Sequence, residues 1–498
     1  MPGQWNIFFR SPGRGKTGGP LPDGVPALPS GLLESTEPGR RIPFLVGPDG
    51  QADDRINQFF REARTAGARS RRNLLGEGTA ERYGYSLKMW LNFLRLHALG
   101  RAWDKATSDD VEDFAFWRTT DSQNPAKVQG GSAEKDVIAI QSLYRWTARH
   151  HGVTNPVPTS VVRTRHGEVE QIDIDFGSID EASVKWLDAR AVDRWIGIGL
   201  TGFDVDGLEA EVWRGRSEQR NTAFAYGLYG TGLRLREWGS VLLDELPEDD
   251  PTRTYYTCRL PSICAKGGYG HPYWMPRTAL TRVLSYVEGE RALAVRRAQA
   301  ASRYDQMPDR LVVLDEDRKG QLTMVDAFGV MRHMLPSSLT PGARLRLLRE
   351  TDDGLEPAAL WVNDDGLPRK HKAWSKTWTQ ANDRVAAAGL PHLVCRPHML
   401  RHSFALRWYS IGYLTQRKTF AHLTDDELSD FRSEFGDAWM LVKTMLGHRS
   451  IQTTKDVYLE PFQSLQVELL LREAAEVPLH GLLGELLRAH PQVVTDEV

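Results

Sequence analysis

Tyr83, Leu87, Trp90, Leu91 and Leu94 recur at helical spacing and place one apolar face on a predicted helix. Val111, Phe114 and Trp117 predict a second, with Thr107-Ser108-Asp109-Asp110 offering its N-cap. Val137, Ile140, Tyr144 and Trp146 mark a third, and Asn155-Pro156-Val157-Pro158 stops it. Residues 75–158 thus read as a small all-helical domain, whose aromatic side chains serve its core rather than stack on bases. Ahead of it, residues 1–74 begin Pro- and Gly-rich without periodicity and end basic, so a partly disordered arm is expected. Residues 159–181 are polar and unpatterned and read as a linker. A larger domain, 182–461, is predicted to be mainly helical. Its exception is Tyr255–Met275, where YYTCRLPSI and PYWM flank Gly267-Gly268-Tyr269-Gly270 in the layout of a hairpin. Leu465, Leu469, Leu470 and the stretch Leu479–Leu487 predict a helical tail over 462–498. The expected fold class is α+β: mainly α, with a small β hairpin in the larger domain.

The 498 residues leave room for two or three domains, and 41% hydrophobic with 26% charged residues suits a globular chain. No apolar run reaches the length of a membrane span, and the N-terminus lacks a signal-peptide layout, so a cytoplasmic protein with no membrane partner is expected. Cys258, Cys264 and Cys395 form no CxxC pair and read as ordinary thiols of a reducing compartment. The net charge of −2 shows no basic excess. Any contact with nucleic acid must therefore come from local clusters. Candidates are Arg61, Arg64, Arg69, Arg71 and Arg72, then Arg163 and Arg165; either cluster alone also fits a solvated face. Gly13–Thr17 is shaped like a phosphate-binding loop, but Arg10 stands where that motif needs glycine and no predicted strand precedes it.

Three segments carry the candidate chemistry: Tyr229–Trp238 (YGTGLRLREW), Arg396–Ala405 (RPHMLRHSFA) and Met445–Leu459 (MLGHRSIQTTKDVYL). On a helix, His398 and Arg401 share a face. An arginine, a hairpin lysine, a histidine–arginine pair and a tyrosine are the parts of phosphoryl transfer through a protein nucleophile. Negative charge gathers on the non-bridging oxygens of a phosphodiester under attack, and two arginines can hold them with fixed, always-charged donors. One such preorganised donor is worth roughly 3–4 kcal/mol. Tyrosine, with a pKa of about 10, needs a base or a cationic surround to become a nucleophile. The departing hydroxyl needs a proton, which lysine or histidine can supply. Read in isolation, Arg234 is a helix brace, Lys266 a turn lysine and His402 a structural hydrogen-bonding residue. His398, His402 and His448 lack the glutamate of a zinc-protease motif, and Arg401 would set a positive charge beside any cation. Tyr269 and Tyr413 are rival tyrosines, but neither follows a Leu-Gly-His segment.

Together these segments resemble the tyrosine recombinases, or phage-type integrases, in order and wording over roughly residues 75–460. GTGLRLREW is similar to that family's first arginine box, HMLRHSFA to its second and LGHRSIQTTKDVY to its third. The resemblance implies Arg234 and Arg401 as clamping arginines, with His398 as base. It implies Lys266 as general acid, His448 as the third-box histidine and Tyr458 as nucleophile, with Glu237 and His402 in support. It also implies that residues 75–158 are a core-binding, DNA-binding domain and 182–461 the catalytic domain. Its further implications are double-stranded DNA as partner, a homotetramer on two DNA sites, DNA-bending accessory proteins, association with the nucleoid, and a reaction without ATP, metal or other cofactor. Long stretches separate Lys266 from His398 and Arg401 from His448, the latter holding an acidic insertion at Asp425–Asp437. These lengths suggest a divergent branch. Two other activities use similar parts: relaxation by a type IB topoisomerase, and DNA binding by a regulator that has lost catalysis.

Overall fold

The aromatic periodicity between residues 83 and 146 builds packed helices, as the pattern requires. The computed structural model describes residues 3–10, 42–65, 75–164, 167–176, 186–210, 213, 215–419, 438–448, 450 and 493–494. The chain divides into two units, residues 1–182 and 183–498.

In the first unit β1 (Asn6–Arg10) pairs antiparallel with β2 (Ile42–Val46), followed by α1 (Asp54–Thr65), α2 (Glu77–Leu96), α3 (Ser108–Thr119) and α4 (Gly130–His151). Leu87, Trp90, Leu91 and Leu94 of α2 are buried with Phe114 of α3 and Val137, Ile140 and Tyr144 of α4. Thr107 caps α3: its backbone N–H donates to Asp110 Oδ2 at 2.7 Å, and its hydroxyl accepts from the Asp110 amide. The third predicted helix closes at Gly152, in a left-handed conformation, ahead of the proline run. Residues 6–10 and 42–65, which the sequence assigned to the arm, are ordered elements of this unit. The side chain of Asn57 on α1 accepts from the Leu45 amide at 2.8 Å and donates to the Leu45 carbonyl at 2.9 Å. That clip satisfies two backbone groups of β2 and fixes it to α1. The expected linker also contains structure: β3 (Thr159–Thr164) and β4 (Gly167–Ile172) form an antiparallel hairpin. Val161, Val162 and Val169 lie exposed on it, so no buried stripe marks it in the sequence.

The second unit is α+β, mainly helical with small sheets. It runs through β5 (Trp186–Leu187), α5 (Ala189–Leu200), α6 (Glu218–Thr231), α7 (Leu235–Trp238), β6 (Tyr255–Leu260), β7 (His271–Pro276), α8 (Arg277–Tyr286) and α9 (Ala292–Ala300). Then come β8 (Leu311–Glu316), β9 (Leu322–Asp326), β10 (Met331–Met334), α10 (Pro341–Arg344), β11 (Leu347–Thr351) and β12 (Gly354–Pro357). Helices α11 (Ala373–Ala387), α12 (Pro397–Thr419) and α13 (Ala438–Leu446) follow, with β13 (Val493–Val494) parallel to β5. Phe224, Trp195, Trp238, Trp361, Trp374 and Trp378 make the centre of its core. The predicted hairpin is β6–β7, in register from Tyr255↔Pro276 to Leu260↔His271. A five-stranded sheet of order β10-β9-β8-β11-β12 corrects the expectation that this hairpin is the only departure from helix. It fills much of the long stretch between Lys266 and His398 and packs one face through Leu311, Val313, Leu322 and Met324.

Candidate active site

Gly232 ends α6 in the left-handed region at φ 66°, where a Cβ would also collide with the Phe404 ring of α12. The turn it permits leads directly to Arg234, the N-cap of α7. Glu237, one turn on and only 1% exposed, reaches back. Its carboxylate accepts from the Arg234 amide at 2.9 Å, from Arg234 Nη1 at 3.0 Å and from the Lys266 amide at 3.0 Å. One buried carboxylate therefore ties the first arginine to the lysine-bearing loop between β6 and β7. Lys266 itself is exposed at that loop. Burial opposes ionisation of Glu237, but Arg234, Arg401 and the two backbone N–H groups outweigh it and hold the carboxyl below its usual range.

Arg401, on α12, is also 1% exposed. Its Nη1 donates to the Gly232 carbonyl, and its Nη2 to the Leu446 carbonyl at 2.9 Å. Nη2 also lies 3.0 Å from His448 Nε2. A guanidinium only donates, so Nε2 of His448 is the acceptor and its ring proton sits on Nδ1. Arg401 thus joins the end of α6, its own helix and the turn after α13, which come from the three boxes. His398 sits one turn before Arg401 on an exposed face of α12, and its ring meets that of His402 edge-to-face at 4.5 Å. His402 is buried and also meets Trp186.

His398 keeps part of its surface open to solvent, but desolvation of its ring by the surrounding atoms, then Arg401 and Arg234, lower its pKa to about 4. Burial, then the same arginines, lower that of His448 to about 3. For His402 burial, then His398 and Arg401, lower it to about 3. All three rings are therefore neutral at pH 7, able to accept a proton or hold one in a hydrogen bond. Among the described residues, Arg234, Arg401 and Lys266 set three cationic groups against the carboxylate of Glu237. That imbalance favours an anionic ligand.

The structure thus brings together Arg234, Glu237, Lys266, His398, Arg401, His402 and His448. Tyr458 lies outside the described residues, as do Arg69, Arg71, Arg72 and Arg165. Arg163 is exposed on β3, opposite Glu168, in the other unit. Sequence reasoning missed His271, the first residue of β7, which is buried and lies within the field of Glu237, Arg401 and Arg234. The signal was present: His271, Tyr273 and Met275 alternate on the buried face of that strand. Sequence also hid how Arg401 spends its donors.

No protein-family model and no curated protein matches the chain. Among solved structures it is similar to the XerH site-specific recombinase in a post-cleavage complex with palindromic difH substrate. The identity is 14% over 77% of this chain and 76% of that one, with a TM-score of 0.39. A pre-cleavage complex of XerH with difH substrate has 14% identity over 82% of this chain and 81% of that one, also at a TM-score of 0.39.

Proposed function

We propose that the protein is a site-specific DNA recombinase that breaks and rejoins strands through Tyr458. The observation that carries this reading is the convergence of Arg234, Lys266, His398, Arg401 and His448, drawn from distant segments, around one buried carboxylate. A site with three cations and neutral imidazoles suits a phosphodiester, whose charge grows during attack. In the proposed reaction the Tyr458 oxygen attacks the scissile phosphorus. The phenolic proton passes to a neutral imidazole, with His398 the assigned base. The bond from phosphorus to the 5′-oxygen breaks, and that oxygen takes a proton from Lys266. The product is a 3′-phosphotyrosyl linkage with a free 5′-hydroxyl. A 5′-hydroxyl of a partner strand reverses these steps and rejoins the backbone. The phosphodiester to tyrosine conserves the bond energy, so the chemistry requires neither ATP nor metal.

In this reading residues 75–158 form the DNA-binding domain, 182–461 the catalytic domain, and the active species is a homotetramer on two duplex sites. The exposed Arg163 contacts the phosphate backbone, as do the basic residues at 69–72 and Arg165. The test is direct. Wild-type protein incubated with a nicked, labelled duplex carrying its attachment site should give a covalent protein–DNA adduct that Tyr458→Phe does not. An equal adduct with Tyr458→Phe would exclude the mechanism, and no adduct with either would favour a DNA-binding regulator. Joining of strands from two sites separates a recombinase from a type IB topoisomerase, which only relaxes supercoils.

A further inference from the structure

We propose that His271 is a positioning residue of this site, whose ring seats the Gly447–His448 turn against the hairpin that carries Lys266. His271 opens β7 opposite Leu260, at the mouth of the Lys266 loop, and is 4% exposed. Its Nδ1 lies 2.8 Å from the Pro272 carbonyl. A carbonyl only accepts, so Nδ1 carries the proton, which fixes both the tautomer and the tilt of the ring. The opposite edge of the ring, Cδ2 and Nε2, lies directly against Gly447, where any Cβ would collide with it. Gly447 stands at φ 64°, a left-handed position that glycine adopts without strain. Backbone conformation and ring contact therefore demand glycine independently.

The turn is held from two sides. Arg401 grips the Leu446 carbonyl at 2.9 Å and His448 Nε2 at 3.0 Å, while His271 packs on the residue between them. Within the turn the Gly447 amide donates to the Thr444 carbonyl and the His448 amide to the Lys443 carbonyl. The groups facing His271 are Glu237, Arg401, Arg234 and His448. Burial and the two arginines keep its ring neutral, so it adds a rigid surface without adding a further cation. Ten positions separate His448 from Tyr458. A displaced turn would therefore shift both the histidine and the start of the segment that leads to the tyrosine. The consequence for the reaction rests on the strand-cleavage reading above; the seating itself does not.

Two measurements on the full chain test it. Hydrogen exchange read by mass spectrometry should show the Gly447 and His448 amides of His271→Ala exchanging about tenfold faster than wild type, with α12 unchanged. His271→Asn, whose side-chain N–H can replace Nδ1 toward Pro272, should recover much of that protection. With nicked duplex DNA at saturation, adduct formation by His271→Ala should slow about 10- to 100-fold while its Kd for DNA stays within about threefold. Gly447→Ala should be slower still, and adding His271→Ala should restore part of its rate, because the collision is removed. Unchanged exchange in His271→Ala would overturn the proposal, as would a rate loss that tracks DNA affinity alone or a double variant slower than Gly447→Ala. If wild type forms no adduct, the strand-cleavage reading fails, while the exchange measurement still decides the seating.

Discussion

Arg234 and Arg401 carry the same charge in one site, but the first keeps 24% of its side chain exposed and the second 1% of the whole residue. Arg234 stands at the edge of α7, braced from one side by Glu237. Arg401 lies within α12 with donors committed to two carbonyls and an imidazole. The open guanidinium has donors to offer an incoming anion. The buried one organises the site: its field reaches Glu237, His398, His402, His448 and His271, and its hydrogen bonds hold the three segments together. A shared charge within one motif therefore does not imply a shared task.

The largest effect should come from Arg401→Ala. It strips donors from the buried Gly232 and Leu446 carbonyls and leaves a cavity. Each orphaned group costs about 1–3 kcal/mol, so a total loss of about 3 kcal/mol or more is expected from urea unfolding. Arg401→Lys should recover little, because a single ammonium cannot span both carbonyls. A variant of wild-type stability would show that Arg401 is no scaffold and collapse the contrast with Arg234.

Glu237 is the joint between Arg234 and the Lys266 loop, and its replacement should rank next. Glu237→Ala leaves the Arg234 and Lys266 amides without their acceptor, for an expected loss of about 2 kcal/mol. Glu237→Gln should do less harm, since one oxygen survives, but its NH₂ faces donors. Faster hydrogen exchange confined to the Lys266 loop would sharpen the picture, and unchanged exchange there would remove Glu237 as the link.

The buried side should also carry a pH dependence. His402 is 5% exposed, with its pKa lowered to about 3. Its folded pKa lies below the unfolded value of about 6.5, so the unfolded chain binds the proton first as pH falls. This contribution is complete above about pH 6.5 and declines by up to about 1.4 kcal/mol per pH unit on acidification. Between pH 6.5 and 5, wild type should lose up to about 2 kcal/mol more than His402→Asn. Equal slopes would mean that His402 is protonated in the folded protein.

Much of this was legible because the first unit repeats large apolar residues at helical spacing and the boxes set charged residues among glycines and leucines. The rest was hidden for physical reasons. Strands β1 and β2 pair across residues 11–41, a distance that local periodicity cannot bridge. The strands of the five-stranded sheet are short, and the ladder between β8 and β9 shifts register at Val313/Asp315. No long alternation survives to reveal them. In the site, motif and spacing identified Arg401, but burial and donor geometry depend on where Gly232 and Leu446 arrive in the fold. His271 was overlooked because a lone histidine on a strand gives no sign of the glycine that will pack against it.

Arg234→Ala should have the smallest effect on stability and one of the largest on chemistry. Its ion pair with Glu237 is partly open to solvent, and such pairs contribute about 1 kcal/mol or less. Glu237 would keep the Lys266 and residue-234 amides as donors, with Arg401 nearby. In the proposed reaction the same guanidinium faces the phosphate, so its loss should slow adduct formation by about 10²–10³-fold. Unfolding and single-turnover cleavage measured on Arg234→Ala and Arg401→Ala together test the division of labour. If Arg234→Ala unfolds as readily as Arg401→Ala, the open arginine is a scaffold too. If its cleavage is unimpaired, exposure has been mistaken for access, and the phosphate must meet the site from the Arg401 side.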